Sequence, residues 1–269
     1  MDRYLRSLED QSIDIIREGL RQLKRPAALW SMGKDSTTLL WLIRKAVFGQ
    51  VTLPVLHIDT SYKFAEMYRF RDQLAKEWSL DLRIVRNEAA LAAGMSPATA
   101  SKLECCDALK TTALKLAIDQ YGFEGLFLGI RGDEHGVRAK ERVFSYRASD
   151  FQWNYRDQPA EMWSIRAVAP AAGKGHLRIH PLLRWSERDI WAYIESEGIP
   201  LPSLYFSQDG SRYRSIGCER CCSPVPSRAE TVADVVLEIK SARTSERAGR
   251  AQDKEDAAAM QKLRSLGYM

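Results

Sequence analysis

The stretch that decides the fold is residues 27–48, AALWSMGKDSTTLLWLIRKAVF. It begins with a short apolar strand, Ala27–Trp30, continues through the polar turn SMGKDS, and ends in an apolar helix, Thr37–Phe48. A turn between a strand and a helix directs backbone N–H groups and the positive end of the helix at an anion. Gly33 allows the backbone to approach that anion closely, and Lys34 adds a positive charge. The sequence therefore predicts a phosphate-binding loop at this turn, although its spacing is neither GxxxxGK[ST] nor GxGxxG.

Outside this stretch, apolar strands alternate with amphipathic helices. Strands are predicted at Val51–Ile58, Leu82–Val85, Gly125–Ile130 and Arg178–Leu182. Helices are predicted at residues 4–24, 64–78, 104–121, 187–196 and 229–241. This alternation predicts an α/β fold, with a doubly wound, mostly parallel sheet and helices on both faces.

Two regions depart from the alternation. Residues 131–174 are rich in charges, aromatics and glycine, which predicts long loops that carry a functional site. The chain beyond residue 200 is also loop-rich and ends in a charged tail. We therefore expect one α/β domain over residues 1–200 and a C-terminal extension over residues 201–269 that contains a CxxC motif.

Composition excludes several classes of protein. Of the 269 residues, 45% are hydrophobic and 28% are charged, which is too apolar for a disordered chain. No apolar run reaches the roughly 18 residues of a membrane span, and the first residues, MDRYLRSLEDQ, lack the apolar core of a signal peptide. A cytoplasmic location is therefore expected. The net charge of +5 suits anionic ligands.

The turn SMGKDS resembles the pyrophosphate loop, S-x-G-K-D-S, of the adenine-nucleotide alpha-hydrolase superfamily. Residues 27–183 and the tail segment TSERAGR, residues 244–250, resemble the small subunit of bacterial sulfate adenylyltransferase and, more distantly, phosphoadenosine-phosphosulfate reductases. The matching blocks include LHIDT at residues 56–60 and RAKER at residues 138–142. The resemblance implies that residues 1–200 form an ATP-binding domain that cleaves ATP between its α- and β-phosphates, with Mg²⁺.

The resemblance also implies the roles of individual residues. ATP would be bound by Ser31, Met32, Gly33, Lys34, Asp35, Ser36, Thr37, Asp59, Thr60, Gly129, Arg131 and Asp133. Catalysis would rest on Ser31, Lys34, Asp35, Arg138 and Arg142, with the arginines facing phosphates or the acceptor.

The five cysteines form two clusters, Cys105-Cys106 and the CxxCC run from Cys218 to Cys222. An odd number in two clusters argues against a secreted disulfide scaffold and favours metal or redox chemistry. An adjacent pair with a distant CxxC resembles the ligand set of the [4Fe–4S] cluster in assimilatory adenylylsulfate reductases. Cys105, Cys106, Cys218 and Cys221 are the predicted ligands, with Cys222 an alternative to Cys221. Structural zinc and unliganded buried cysteines are the other interpretations.

The identity of the acceptor divides the functional hypotheses. The cysteines favour a DNA backbone phosphate, adenylated by an ATP pyrophosphatase that acts in DNA phosphorothioation beside a cysteine desulfurase. The alternative acceptor is sulfate, with a GTPase subunit as partner. A reductase is the least favoured, because no cysteine follows Cys222 to act as the nucleophile on the tail. No membrane partner is expected, and assembly into a homo-oligomer is left open.

Overall fold

Short apolar runs form the strands of a central sheet, and the chain between them forms helices that cover it. The computed structural model describes residues 1–154, 156, 158, 161, 175–242, 246–249, 259–265 and 267. The strands are β1 Pro26–Leu29, β2 Val55–Ile58, β3 Leu82–Val85, β4 Gly125–Phe127, β5 Phe144–Arg147, β6 His176–Ile179, β7 Ser211–Arg212 and β8 Val225–Pro226. The helices are α1 Arg3–Gln22, α2 Lys34–Ala46, α3 Ala65–Glu77, α4 Glu88–Ala92, α5 Lys102–Cys106, α6 Ala113–Tyr121, α7 Glu187–Glu197, α8 Val232–Ser241 and α9 Ala259–Ser265.

Six strands form one sheet in the order β3-β2-β1-β4-β6-β5. Every neighbouring pair is parallel except β5 and β6, which are antiparallel with Phe144 opposite Ile179. The strand order reverses direction between β1 and β4, and open α/β sheets bind ligands in the crevice at such a switch point, beyond the carboxyl ends of the strands. The topology therefore places the turn after β1 and the loop after β4 at the binding crevice.

Both faces of the sheet are covered, as predicted. One core contains buried side chains from α1, α2, α3, α7 and α8, and the other is built mainly from the sheet and α6. Val235 and Ile239 of α8 belong to the first core, so residues beyond position 200 pack with the α/β domain. The division into two domains at residue 200 stays a prediction. Among the described residues, no helix has the length and apolar character to cross a membrane.

Local signals set the ends of several elements. Ser186 caps α7 in a reciprocal capping box with Asp189, as its position before an acidic first turn predicts. The second strand begins at Val55 rather than at Val51, because Pro54 has no N–H to donate to a ladder. The phosphate-loop helix begins at Lys34 rather than at Thr37, so the second half of the predicted turn SMGKDS lies in the first turn of α2.

The prediction that residues 131–174 form loops was wrong in part. Residues 131–174 contain β5, whose partner β6 lies about thirty residues later in the chain, where no local pattern reveals the pairing. The remaining residues predicted as loop there, from 155 to 174, lie mostly outside the described part of the chain. The small-residue stretch after β3 contains the short helix α4. The predicted helix over residues 104–121 is interrupted by a π-helical segment, Asp107–Thr112, directly after the cysteine pair.

Candidate active site

A cavity of about 150 Å³ lies at the carboxyl ends of β1, β2 and β4. One wall is apolar and comes from strand ends and the residues after them, namely Leu29, Leu56, Ile58, Leu128 and Ile130. The opposite side is polar and includes Ser31, Gly33, Lys34, Asp35 and Ser36 of the phosphate loop. An apolar wall facing a few convergent polar groups is typical of a site for a small organic ligand that carries an anionic group.

The phosphate loop is held in its conformation by its own hydroxyl groups. The Ser31 amide donates to Ser36 Oγ at 3.2 Å, and Ser36 Oγ donates to the Gly33 carbonyl at 3.1 Å. Met32 is fully buried in the left-handed region, at φ 64°, which costs a non-glycine residue strain that only a tightly determined loop maintains. The loop therefore presents the positive end of α2 to the cavity in a preorganised form.

The end of β4 lies against the first turn of α2. A Cβ atom at Gly129 would stand 2.8 Å from the Asp35 carbonyl oxygen and 2.8 Å from the Ser36 Cα. Since real Cβ atoms do not approach backbone so closely, only glycine lets the strand close this side of the cavity. This contact explains the position of Gly129 among the residues predicted to bind nucleotide.

Ion pairs join the phosphate loop to two distant segments. Lys34 Nζ contacts Asp35 at 2.7 Å and also pairs with Glu246, which lies in a 3₁₀ turn at Glu246–Gly249. Arg131 is fully buried and pairs with Asp35, Glu246 and, at 2.9 Å, Asp133. The C-terminal segment thus contributes directly to the wall of the cavity.

Three carboxyl groups approach one another at this point. Oxygens of Asp35, Glu134 and Glu246 lie within 4.8 Å of one another. Burial raises the pKa of Glu134, but the positive charges of Arg138 and Arg131 outweigh it and hold that pKa well below its ordinary value. Burial also raises the pKa of Glu246, but the positive charges of Lys34 and Arg131 outweigh it, so that pKa is lowered as well. Both glutamates are therefore ionised at neutral pH, which makes the group a chemically suitable set of oxygen ligands for Mg²⁺.

The cavity contains about half of the residues predicted to act on ATP. Its lining includes Ser31, Gly33, Lys34, Asp35, Ser36, Thr60, Gly129 and Arg138. Met32 and Thr37 are buried behind the loop, where Thr37 Oγ1 accepts a hydrogen bond from the Trp30 indole at 3.1 Å. Both support the loop from behind rather than line the cavity.

Four other predicted residues lie outside the lining. The Asp59 carboxylate accepts hydrogen bonds from the Ser61 amide and the Tyr68 hydroxyl, both at 2.8 Å, and pairs with Arg86 at 2.6 Å. Asp133 accepts from Arg131 and from the Glu187 amide at the start of α7. The roles predicted for Asp59, Asp133, Arg131 and Arg142 stay predictions.

Several residues that line the cavity were not among the predicted site residues. They are Lys63, Lys110, Glu134, Tyr205, Glu246 and Arg247. The Tyr205 hydroxyl accepts a hydrogen bond from the Lys34 amide at 2.9 Å across 171 positions of sequence. The tail segment at residues 244–250 resembles the family and was the one signal that could have indicated Glu246 and Arg247. Nothing local marks Tyr205 or Lys110.

The two cysteine clusters come together beside this cavity. Cys105, Cys106, Cys218 and Cys221 are buried, and burial together with the charges of Cys106 and Cys218 raises the pKa of Cys105 to about 11. Cys218 Sγ lies 3.2 Å from Oγ1 of Thr60, which itself lines the cavity. Cys222 is more exposed, and its sulfur accepts a hydrogen bond from the Gly217 amide at 2.9 Å. The fold therefore brings four of the five cysteines, from two distant segments, into one buried group.

The chain is similar in sequence to a known family over most of its length. The family model of the phosphoadenosine phosphosulfate reductase domain matches residues 25–224. Sulfate adenylyltransferase subunit 2 of Pseudomonas paraeruginosa is 38% identical over an alignment of 299 residues, covering 98% of each chain. Sulfate adenylyltransferase subunit 2 1 of Shewanella sediminis is 38% identical over 295 residues, again covering 98% of each chain. These relatives extend the similarity through both parts of the chain.

Solved structures show the same fold at low identity. The phosphoadenylyl-sulfate reductase of Candida auris has a TM-score of 0.55 and 17% identity, covering 84% of this chain and 98% of the reductase. The FMN adenylyltransferase of Candida glabrata has a TM-score of 0.58 and 16% identity, covering 99% of this chain and 84% of that one. The predicted α/β fold is confirmed, and the DNA phosphorothioation hypothesis finds no support among these relatives. The chain belongs to the phosphoadenosine phosphosulfate reductase domain family and is an enzyme that uses ATP.

Proposed function

We propose that this protein is the ATP-cleaving subunit of a sulfate adenylyltransferase, which converts ATP and sulfate into adenylylsulfate and pyrophosphate. The observation that carries the proposal is the phosphate loop, with Lys34 at the first turn of α2, inside a cavity whose other wall is apolar. The relatives that match the chain over 98% of its length carry the name of this activity. We further propose that a second subunit, a GTPase, completes the enzyme.

In this reaction a sulfate oxygen forms a bond to the α-phosphorus of ATP. The bond between that phosphorus and the α–β bridging oxygen breaks, and its electron pair leaves with pyrophosphate. No proton transfer is required, because sulfate is already an anion at neutral pH. Catalysis therefore depends on positioning the two anions and neutralising the charge that collects on the leaving group.

The leaving pyrophosphate would be neutralised by Lys34 and the backbone amides at the start of α2. Arg138 is suited to the acceptor side, since it is buried and lines the cavity. Its Nε finds no hydrogen-bond partner within the part of the chain that the structure describes. A buried donor without a partner is rare in proteins, and a sulfate oxygen in the cavity would satisfy it.

Magnesium fits the site through the carboxylates of Asp35, Glu134 and Glu246, whose oxygens lie within 4.8 Å of one another. When bound, the ion would neutralise phosphate oxygens of the nucleotide and thereby favour departure of pyrophosphate. The carboxylates are supplied by three separate segments of the chain, so the ion would also tie the C-terminal segment to the phosphate loop.

Sulfate is favoured over a DNA backbone as the acceptor. A DNA backbone would require an extended basic surface, and residues 131–147 are rich in arginine and lysine. Three of these arginines do not contribute to such a surface, because Arg131, Arg138 and Arg147 are buried and paired with carboxylates. Counterion release requires cations that reach phosphates at the surface. A small dianion needs only the few donors that line the cavity.

The decisive experiment incubates the purified protein with ATP and measures pyrophosphate in the presence of sulfate, duplex DNA or no acceptor. The assay is repeated with the GTPase subunit of a sulfate adenylyltransferase added. Stimulation by sulfate is expected, with adenylylsulfate formed in equal amount. Stimulation by DNA alone would overturn the choice of acceptor, and release of phosphate in place of pyrophosphate would overturn α–β cleavage.

We also propose that Cys105, Cys106, Cys218 and Cys221 hold a [4Fe–4S] cluster. Four buried thiols from two segments supply the donor set such a cluster requires. Structural zinc bound by the same four thiolates is the alternative, and chemical analysis of the metal distinguishes the two. The contact of Cys222 with Gly217 supports Cys221 as the fourth ligand.

A further inference from the structure

Glu246 holds both cations of the phosphate loop at once. Its Oε1 pairs with Lys34 Nζ, and its Oε2 pairs with Arg131 Nη2. The Lys34 side chain is 1% exposed and the Glu246 side chain 6%, so this contact lies away from bulk water. The lysine that the proposed function assigns to a phosphate is therefore paired with a carboxylate from the C-terminal segment.

Lys34 and Arg131 are both already paired with carboxylates. Lys34 pairs with Asp35 and Glu246, and Arg131 pairs with Asp35, Asp133 and Glu246. An anion that binds Lys34 places its negative charge beside these carboxylates. Such an addition is unfavourable unless a carboxylate leaves the lysine or a cation accompanies the anion.

Glu246 is the carboxylate best placed to leave. Asp35 belongs to α2 itself, and Glu134 follows β4 and is paired with Arg138, so both are fixed to the frame of the site. Glu246 belongs to a separate 3₁₀ turn of four residues at Glu246–Gly249. In the part of the chain that the structure describes, this turn belongs to no strand or helix of the sheet domain, so Glu246 is not fixed to the frame that holds Asp35 and Glu134.

We propose that Glu246 is a displaceable counter-ion that occupies the place of the polyphosphate on Lys34 and Arg131, so that a ligand gains the phosphate loop only by displacing it. The inference rests on the proposed function, which assigns the loop to the β- and γ-phosphates of ATP. It makes the C-terminal segment a determinant of specificity, since only a highly charged anion competes with a buried carboxylate. The same carboxylate competes with pyrophosphate after the reaction and promotes its release.

The experiment measures binding of inorganic pyrophosphate and of adenosine to the full-length protein by calorimetry, in buffer with EDTA. Glu246→Gln keeps the size and the acceptor oxygen of the side chain but removes its charge. Glu230→Gln removes one charge from an exposed glutamate that does not line the cavity and serves as the control. Pyrophosphate should bind Glu246→Gln at least about tenfold more tightly than the wild type. Adenosine affinity, which reports an intact cavity, should not change.

Equal or weaker pyrophosphate binding by Glu246→Gln, with adenosine affinity retained, would overturn the proposal. Failure of the wild type to release pyrophosphate from ATP would refute the proposed function, whereas the binding comparison would still decide the role of Glu246. Product inhibition gives a second readout, because pyrophosphate should inhibit Glu246→Gln more strongly than the control.

Discussion

Lys34 and Glu246, 212 positions apart in the sequence, form a buried ion pair at the phosphate loop. One residue comes from the motif that decides the fold and the other from the C-terminal segment TSERAGR, residues 244–250. Because of this contact, Lys34 gains its carboxylate partner only after the C-terminal segment has packed against the phosphate loop. The chemistry of the loop therefore depends on both parts of the protein.

Lys34→Ala should reduce pyrophosphate release from ATP by at least about tenfold, because a charge-assisted phosphate contact contributes on the order of 1.5–3 kcal/mol. Pyrophosphate is measured with a coupled enzyme assay at saturating acceptor. Lys76→Ala, which removes an exposed lysine from the last turn of α3, is the matched control and should retain wild-type turnover. Equal rates for the two variants would remove Lys34 from the reaction.

Protein prepared without oxygen should contain about four irons per chain and absorb near 400 nm. Cys221→Ser should lose most of this iron, whereas Cys222→Ser should retain it, because Cys222 is more exposed than the four buried cysteines and its sulfur accepts a hydrogen bond from the Gly217 amide. Iron and sulfide are determined chemically on both variants. Stoichiometric zinc in place of iron would assign the four cysteines to a structural zinc site.

Stability should fall as the pH is lowered below about 6.5, the ordinary pKa of histidine. Burial, as the largest cause, lowers the pKa of His57 to about 3, of His176 to about 2 and of His180 to about 3. A pKa that is lower in the folded state gives stability that is complete above pH 6.5 and is lost as the pH falls toward 3. Between pH 7 and pH 5.5 each histidine should cost about 1.3 kcal/mol of unfolding free energy.

Urea unfolding at the two pH values measures this loss. His180→Asn preserves a donor for the Arg142 carbonyl, which His180 Nδ1 contacts at 2.7 Å, and removes one titrating group. The variant should show about two thirds of the wild-type pH dependence. A wild-type free energy that stays constant from pH 7 to pH 5.5 would contradict the buried, neutral state of these histidines.

Ser186→Ala should destabilise the fold by about 1 kcal/mol, since it removes the side-chain acceptor of the capping box at the start of α7. Thermal unfolding of the variant is compared with that of Ser196→Ala, whose hydroxyl bonds only to the Tyr193 carbonyl in the last turn of α7. A melting temperature equal for both variants would show that the capping box does not stabilise this helix.

The sequence alone determined the fold class, the phosphate loop and the identity of the four clustered cysteines. These features are encoded by contiguous residues: alternating apolar strands and helices, a polar turn between β1 and α2, and short cysteine motifs. The strands, helices and polar turn depend on backbone geometry within a few positions, so the residue order is sufficient to predict them. The grouping of the cysteines, across 112 positions between Cys106 and Cys218, followed from a resemblance to a known ligand set. The antiparallel strand β5 has no such local pattern, and its place in the sheet became visible only through its pairing with β6.

Tertiary structure decided which charges meet at the site. Sequence composition counts Arg131, Arg138 and Arg147 as part of a basic loop, but folding buries them against carboxylates. The same process brings Glu246 to Lys34 and the Tyr205 hydroxyl to the Lys34 amide. These contacts join residues 171 and 212 positions apart, so they depend on the packing of the whole chain. A buried polar group or charge that has lost its water needs a partner in the protein, wherever in the sequence that partner lies. No local spacing of residues records that outcome.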